Sequence, residues 1–510
     1  MLTLSSSTGK WIWCIVIIIT YVLSNFENTS FSSILKEISA DLCENGCTNQ
    51  EKGFIKTLHY VVKIIVGPVF GLLGDRFSRK YLQIGGLFIW GGFGLIMTFM
   101  PSYWYFVITN ALSSAGMTVS NNLGPPMIAD LFSDPIRGWV LGVYSLGTPI
   151  GLGLGMVVPT ALLEVTNEWR HSLRLTPGLL LFCAIVIFFL YDPPRGGVES
   201  DKEEKGARGG VESDKEEKGA KETGCASVWS DFKYIMTKPP YILQVIAVTC
   251  TFFVQSTLNY WLPQLYREAI QELNDHEDGS SPVRDQDVAY IIGILMIVGG
   301  IVGIISGTAL SRYLHFKMPD SRIDPIIIGT STLVSLPLIC ASGFIANKDQ
   351  NLIPSFVLYG FYFMFANVYV SIGMNFTLNI IAPSKRAFAV GLQKTAINGI
   401  GKASSSVLTG VMIDAIITSG KTEMEAIQYA FIPCYALLFI AGVCYILIIF
   451  FIPKDIEDVE EDSISMEEKT NDQPGHPTIE NLSEAEEGKI STLDKPANKD
   501  AEIVRETNTF

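Results

Sequence analysis

Gly71-Leu72-Leu73-Gly74-Asp75-Arg76-Phe77-Ser78-Arg79-Lys80 is a short charged turn set between two apolar runs, residues 53–73 and 80–100. Each run has about the 20 residues that an α-helix needs to cross the hydrocarbon core of a bilayer. The glycines let two helix ends approach closely. Asp75 beside the basic group Arg76, Arg79 and Lys80 can form charged contacts that hold one conformational state. Outward from this turn, runs of similar length recur near 11–35, 103–131, 136–163, 171–191, 240–266, 286–311, 324–346, 351–381, 386–417 and 426–452. With the first pair they make twelve. The sequence therefore predicts an all-α membrane protein with twelve transmembrane helices.

Composition agrees. Only 17% of the 510 residues are charged and 48% are hydrophobic, whereas a soluble chain carries about a quarter charged residues. A net charge of −14 excludes a nucleic-acid binder, because phosphate neutralisation needs a basic face. Five His and nine Cys, mostly scattered through apolar runs, leave little material for metal or redox chemistry, so no cofactor is expected. No nucleophile–base constellation points to an enzyme. The first apolar run continues too far for a cleavable signal peptide and meets no small-residue cleavage site.

The chain divides into residues 1–191, a polar linker at 192–239, residues 240–453 and a charged tail at 454–510. In the linker, Arg195–Ala207 is followed at once by the same residues as Arg208–Ala220. Having no apolar face to bury, linker and tail read as disordered. Six runs on each side of the linker predict two pseudo-symmetric six-helix bundles. The halves echo each other: Asp134-Pro135-Ile136-Arg137-Gly138 matches Pro383-Ser384-Lys385-Arg386-Ala387, and Gly307 to Tyr313 is a worn copy of the Gly71 turn. Secondary transporters are commonly duplicated in this way. Lysines and arginines of the linker make the Arg76 side cytoplasmic, with both termini there. Cys43 and Cys47 then lie in an outward loop, either as a small disulfide or as two free thiols. The sequons at Asn375 and Asn481 fall in a helix and in the cytoplasm, so neither should carry sugar.

The Gly71–Lys80 turn resembles the signature between helices two and three of the major facilitator superfamily. Gly67 to Arg76, Ile128-Ala-Asp-Leu-Phe132, Arg174-Leu-Thr-Pro-Gly178 and Asp192-Pro-Pro-Arg-Gly196 narrow the resemblance to the Spinster-like family of lipid transporters. It extends from about residue 20 through 452, without linker or tail. The resemblance implies the major facilitator fold and alternating-access export or efflux of lysophospholipids or sphingoid phosphates, often coupled to protons. It also implies work in a lysosomal, late endosomal or plasma membrane. The chain departs from the family pattern at Asn28, Lys63, Asn110, Met117, Asn375, Asn398 and Lys402, where the family has Arg, Tyr, Arg, Glu, Asp, His and Asp. Several charges that relatives use for coupling are thus neutral or inverted.

Polar groups inside a membrane face a bundle interior or a wet cavity, and i, i+4 residues share one helix face. Such stripes run through Asn367, Ser371, Asn375 and Asn379 of the tenth run, and Asn110, Ser114, Thr118, Asn121 and Asn122 of the fourth. The first run has Ser24, Asn25, Glu27 and Asn28, and the seventh Gln255 and Asn259. In the resembled superfamily, helices one, four, seven and ten line the central cavity. On the eleventh run, Lys394, Asn398 and Lys402 share a face, and Lys402 is the residue expected to hold an anionic head group. Interhelical bonding is the plain alternative for any single hydroxyl or amide. The candidate binding set is Glu27, Asn28, Asn110, Asn121, Gln255, Asn259, Asn367, Asn375, Asn398 and Lys402. The candidate gating set is Asp75, Arg76, Arg79 and Arg137, with a hinge at Gly147-Thr-Pro149. An amphipathic lipid is the expected substrate. The rivals are a facilitator of small organic ions and a transport-inactive receptor or scaffold.

Overall fold

The computed structural model describes residues 7–44, 46–133, 136–192, 232–275, 283–318, 320–346, 352–381 and 385–452. Most of the linker, including its tandem repeat, and the tail with Asn481 lie outside the described residues. The described part is helical throughout and falls within one compact unit, Met1–Asp455.

The first six spans are α1 (Ser7–Ser33), α3 (Asn49–Arg76), α4 (Arg79–Met97), α5 (Tyr103–Leu131), α6 (Ile136–Thr166) and α7 (Trp169–Phe189). Between the first two lies α2 (Leu35–Leu42), a short helix the hydropathy pattern missed because it is amphipathic and only eight residues long. The second half has α8 (Pro239–Asp275), α9 (Asp285–Lys317) and α10 (Ile323–Ile345). Its tenth span is broken into α11 (Leu352–Ala366) and α12 (Tyr369–Ile380), with Asn367 and Val368 at the break. The eleventh runs as α13 (Arg386–Ala396), a π-helical segment (Ile397–Ala403) and α14 (Ser404–Thr418). The twelfth is α15 (Glu423–Ala430) continued by α16 (Ile432–Ile448).

Nine of the described helical spans are long and apolar enough to cross a membrane. The third, the polar fourth and the broken tenth complete the twelve. In α9, Ile294, Val298, Val302 and Ile305 are exposed along one face, whereas Met296, Gly300, Gly303 and Gly307 are buried on another. An apolar exterior is what lipid solvates. Small residues let the helices pack closely inside. At Gly116 a Cβ would stand 2.2 Å from the carbonyl oxygen of Gly86, so α5 and α4 meet backbone to backbone.

The first six spans touch the last six mainly through α3 with α14 and α6 with α9. Gly53 of α3 lies on the backbone of Ser406, and Thr57 Oγ1 donates to the carbonyl of Ala403 at 2.7 Å. Gly153 of α6 lies on the carbonyl of Gly293 of α9, and Pro149 lies against Gly300. Bonds between the halves cluster on the side that carries α2. Ser32 Oγ donates to Tyr260 O at 2.7 Å, Tyr260 OH to Lys52 O at 2.6 Å, and Asp414 accepts from the backbone N–H groups of Asn49 and Gln50. Arg267 donates to Ser33 O, and Lys36 pairs with Asp285 at 4.0 Å. The α2 side is therefore shut in this conformation. On the same side Cys43 and Cys47 are joined as a disulfide.

Candidate substrate site

Three residues of α3 at helical spacing, Lys56, Tyr60 and Lys63, point toward α1 and the π segment. Lys56 is buried and donates to the main-chain carbonyl of Glu27 at 3.0 Å, with its ammonium 4.7 Å from the ring centre of Phe31. The Glu27 carboxylate, also buried, accepts a hydrogen bond from Trp90 Nε1 at 2.5 Å. Tyr60 OH donates to Asn28 Oδ1 at 3.2 Å.

The ring of Tyr60 is shared by two cations. Lys63 Nζ lies 4.9 Å from its centre and Lys402 Nζ lies 5.8 Å from it. Lys402 also stands 4.7 Å from the ring of Phe252 on α8. The π segment brings it there. A π turn widens the helix and is often found at functional sites; here it contains Gly399, Gly401 and Lys402. Gly401 packs against the backbone of α8 at Thr249, where a Cβ would stand 3.1 Å from the carbonyl oxygen, a tight fit. Lys56, Lys63 and Lys402 interact electrostatically with one another, and Glu27 with both Lys56 and Lys63. Three ammoniums thus meet one carboxylate at the junction of spans one, two and eleven. Charges kept from water need opposite charge or hydrogen bonds, so this junction suits an anion.

Of the sequence-predicted binding residues, the structure brings together Glu27, Asn28 and Lys402. Asn398 lies one turn before Lys402 in the π segment, half-buried. Gln255 and Asn259 are half-buried on α8, one and two turns beyond Phe252. Asn110, Asn121 and Asn367 are used differently. Asn110 is fully buried and donates to Ile55 O at 3.3 Å, joining α5 to α3. Asn121 donates to Ser24 Oγ at 2.8 Å, joining α5 to α1. Asn367 is fully buried at the break of the tenth span and donates to Phe363 O at 2.7 Å. The side chains of Asn375 and its neighbours Ser371 and Asn379 lie outside the described residues. The sequence marks Lys63 only as a departure from the family pattern, and Lys56, Tyr60, Trp90 and Phe252 are not among the residues singled out there. The Lys56, Tyr60, Lys63 spacing was the available signal.

Among the gating residues, Asp75 and Arg76 have side chains outside the described ones. Arg79 forms an ion pair with Asp130 at the end of α5. Arg137 is half-buried in the first turn of α6. The helix α6 passes unbroken through Gly147 and Pro149, and a Cβ on Gly147 would stand 2.9 Å from Tyr21 Cδ1 of α1.

A helical membrane chain whose halves close on one side over a charged junction is built as a transporter. The model of the Major Facilitator Superfamily matches residues 17–401, and the chain belongs to that family. Within it the resemblance is to the Spinster proteins. The chain is 26% identical over 459 residues to protein spinster homolog 1 of Xenopus tropicalis, covering 88% of this chain and 82% of that one. It is 28% identical over 422 residues to protein spinster homolog 3 of Homo sapiens, covering 80% and 77%. The fold matches the crystal structure of a bacterial homolog to the human lysosomal transporter Spinster, in an inward-facing and unoccupied conformation. That match has a TM-score of 0.69 and 15% sequence identity, over 88% of this chain and 99% of that one. The protein is a multi-pass membrane transporter.

Proposed function

We propose that the chain carries amphipathic substrates with a charged head group, of the lysophospholipid or sphingoid-phosphate kind, by alternating access between two six-helix halves. The observation that carries this reading is the junction of Lys56, Lys63 and Lys402 with Glu27 and Tyr60. It puts excess positive charge where the halves meet, with aromatic faces beside it. The aromatic and apolar walls suit a substrate with a hydrocarbon part, and the ammoniums suit its anionic end. Glu27, Asn28, Asn398, Gln255 and Asn259 complete the lining, and Arg79, with Asp75, Arg76 and Arg137, gates the opposite end. The α2 side is the exoplasmic face, since a disulfide such as Cys43–Cys47 persists in an oxidising compartment. Both termini are then cytoplasmic, in a lysosomal, late endosomal or plasma membrane. Glu27, the acidic member of the junction, is the group on which a coupled proton rides.

The half-buried amides Asn259, Gln255 and Asn398 favour a second reading, a facilitator of small organic ions in the same fold. Flux into vesicles reconstituted with the pure protein decides between them. A panel of lysolipids and organic ions ranked by uptake should place anionic lysolipids first and show Lys402→Gln weakening them far more than zwitterionic ones. Equal effects on both classes would remove the head-group role, and no gradient-driven flux of any substrate would leave a receptor or scaffold.

A further inference from the structure

Lys63 is 8% exposed and Lys402 half-buried, and among the described residues neither ammonium has an ion-pair or hydrogen-bond partner. Apart from the electrostatic pull of Glu27 on Lys63, each faces aromatic rings, Tyr60 for both and Phe252 for Lys402. Lys56 differs, because the carbonyl of Glu27 and the ring of Phe31 satisfy it. Of the other titratable groups near the junction, Glu27 is held by Trp90 and Tyr60 OH is taken by Asn28. His59 is fully buried, its ring nitrogens have no hydrogen-bond partner among the described residues, and it interacts electrostatically with Lys63 and Lys56, so it adds no negative charge to the junction.

Lys63 belongs to the first half and Lys402 to the second. They share one ring because α3 and the eleventh span are pressed together on the α2 side, at Gly53–Ser406 and Thr57–Ala403. Closing that side therefore brings two unpartnered cations toward each other in a medium of low polarity, where like charges repel strongly.

We infer that a divalent oxyanion, with the chemistry of a phosphate monoester, bridges Lys63 and Lys402 and latches the α2-side closure. Three ammoniums against one carboxylate leave two positive charges to neutralise, which favours a dianion over chloride or a monocarboxylate. The several oxygens of an oxyanion can accept from both ammoniums at once. The closed state is then stable only when loaded, so the empty carrier favours the opposite state and the protein exchanges one anion for another. This rests on the transporter reading above, but not on the lipid nature of its cargo.

Thermal unfolding of the full chain in detergent tests it, with sodium phosphate, sulfate and chloride at matched ionic strength and with lysophosphatidate as a lipid-borne monoester. Phosphate and sulfate should raise the unfolding temperature saturably and chloride should not. Lys63→Gln and Lys402→Gln should each weaken half-saturation by about tenfold or more, while Lys402→Arg should retain the response. Spin labels at Glu44→Cys and Lys421→Cys, both exposed on the α2 side, should report a shorter separation when phosphate is added. A response to inorganic phosphate assigns the bridge to a free anion, and a response to lysophosphatidate alone assigns it to a head group; both support the latch. Equal responses to all anions, or a response unchanged in both glutamine variants, overturn it. Gradient-driven flux of a zwitterionic lysolipid that persists under that result would leave the transporter standing without the latch.

Discussion

The backbone of Ser406 lies so close to Gly53 that a Cβ on Gly53 would stand 2.4 Å from the Ser406 carbonyl oxygen. The two residues belong to different halves, so the contact is part of the α2-side closure. Gly53→Val puts three carbons against a backbone that cannot yield. Overpacking of this kind costs about 1–3 kcal/mol, here charged to one conformation and not to the fold. The expected result is a stable protein whose transport falls by about tenfold or more. Flux in vesicles beside thermal unfolding in detergent checks both halves of the statement, and wild-type flux would separate the contact from the transport cycle.

Trp90 of α4 is hydrogen-bonded to Glu27 of α1. The indole N–H is the hydrogen-bond donor to a buried carboxylate, and Trp90→Phe leaves that carboxylate oxygen without it. Stability should drop by about 1–3 kcal/mol, read as a lower unfolding temperature. Glu27→Gln keeps an acceptor for the indole and should fold normally, yet it removes the junction's negative charge. Its flux should fall and lose part of its pH dependence. A glutamine variant that transports like wild type at every pH is carrying neither proton nor substrate through this position.

Asn110 separates lining from bonding. Its amide joins α5 to α3 through Ile55 O and has no exposure. Asn110→Ala should lower stability by roughly 0.6 kcal/mol, the usual worth of an interhelical bond in a bilayer. The ranking of substrates in the flux panel should stay unchanged. A changed ranking would return Asn110 to the substrate site.

The Cys43–Cys47 bridge closes a loop with a sequence separation of only 4. On the chain-entropy estimate a loop this short is worth about 2 kcal/mol. A double Cys→Ser variant should therefore fold and transport, with a modestly lower unfolding temperature. Reduced protein in right-side-out vesicles should label at these thiols with an impermeant maleimide. Labelling only after the membrane is opened would reverse the assigned orientation.

Much of the architecture was legible in the residue order. Apolar runs of bilayer length, a polar linker after the sixth and the Gly71–Lys80 turn carried the helix count and the family resemblance, because lipid imposes length and hydropathy on each span separately. The breaks inside spans were not legible. Asn367 and Val368 interrupt the tenth helix, and the eleventh widens into a π turn at Ile397–Ala403, yet both segments read as continuous apolar helix. Hydropathy does not register how a backbone carbonyl is paired.

The polar stripes divide the same way. Spacing placed Asn110, Ser114 and Asn121 on one side of α5, but not what that side meets; the fold turns Asn110 and Ser114 to the α3 backbone and Asn121 to Ser24. The sequence by itself determined which residues are polar within each span, since that depends on local order alone. Only the tertiary structure decided that Lys63 and Lys402, over three hundred positions apart, share the ring of Tyr60. Pairing between halves is set by the packing of α3 on the eleventh span, through glycines whose significance appears only when a second backbone lies against them.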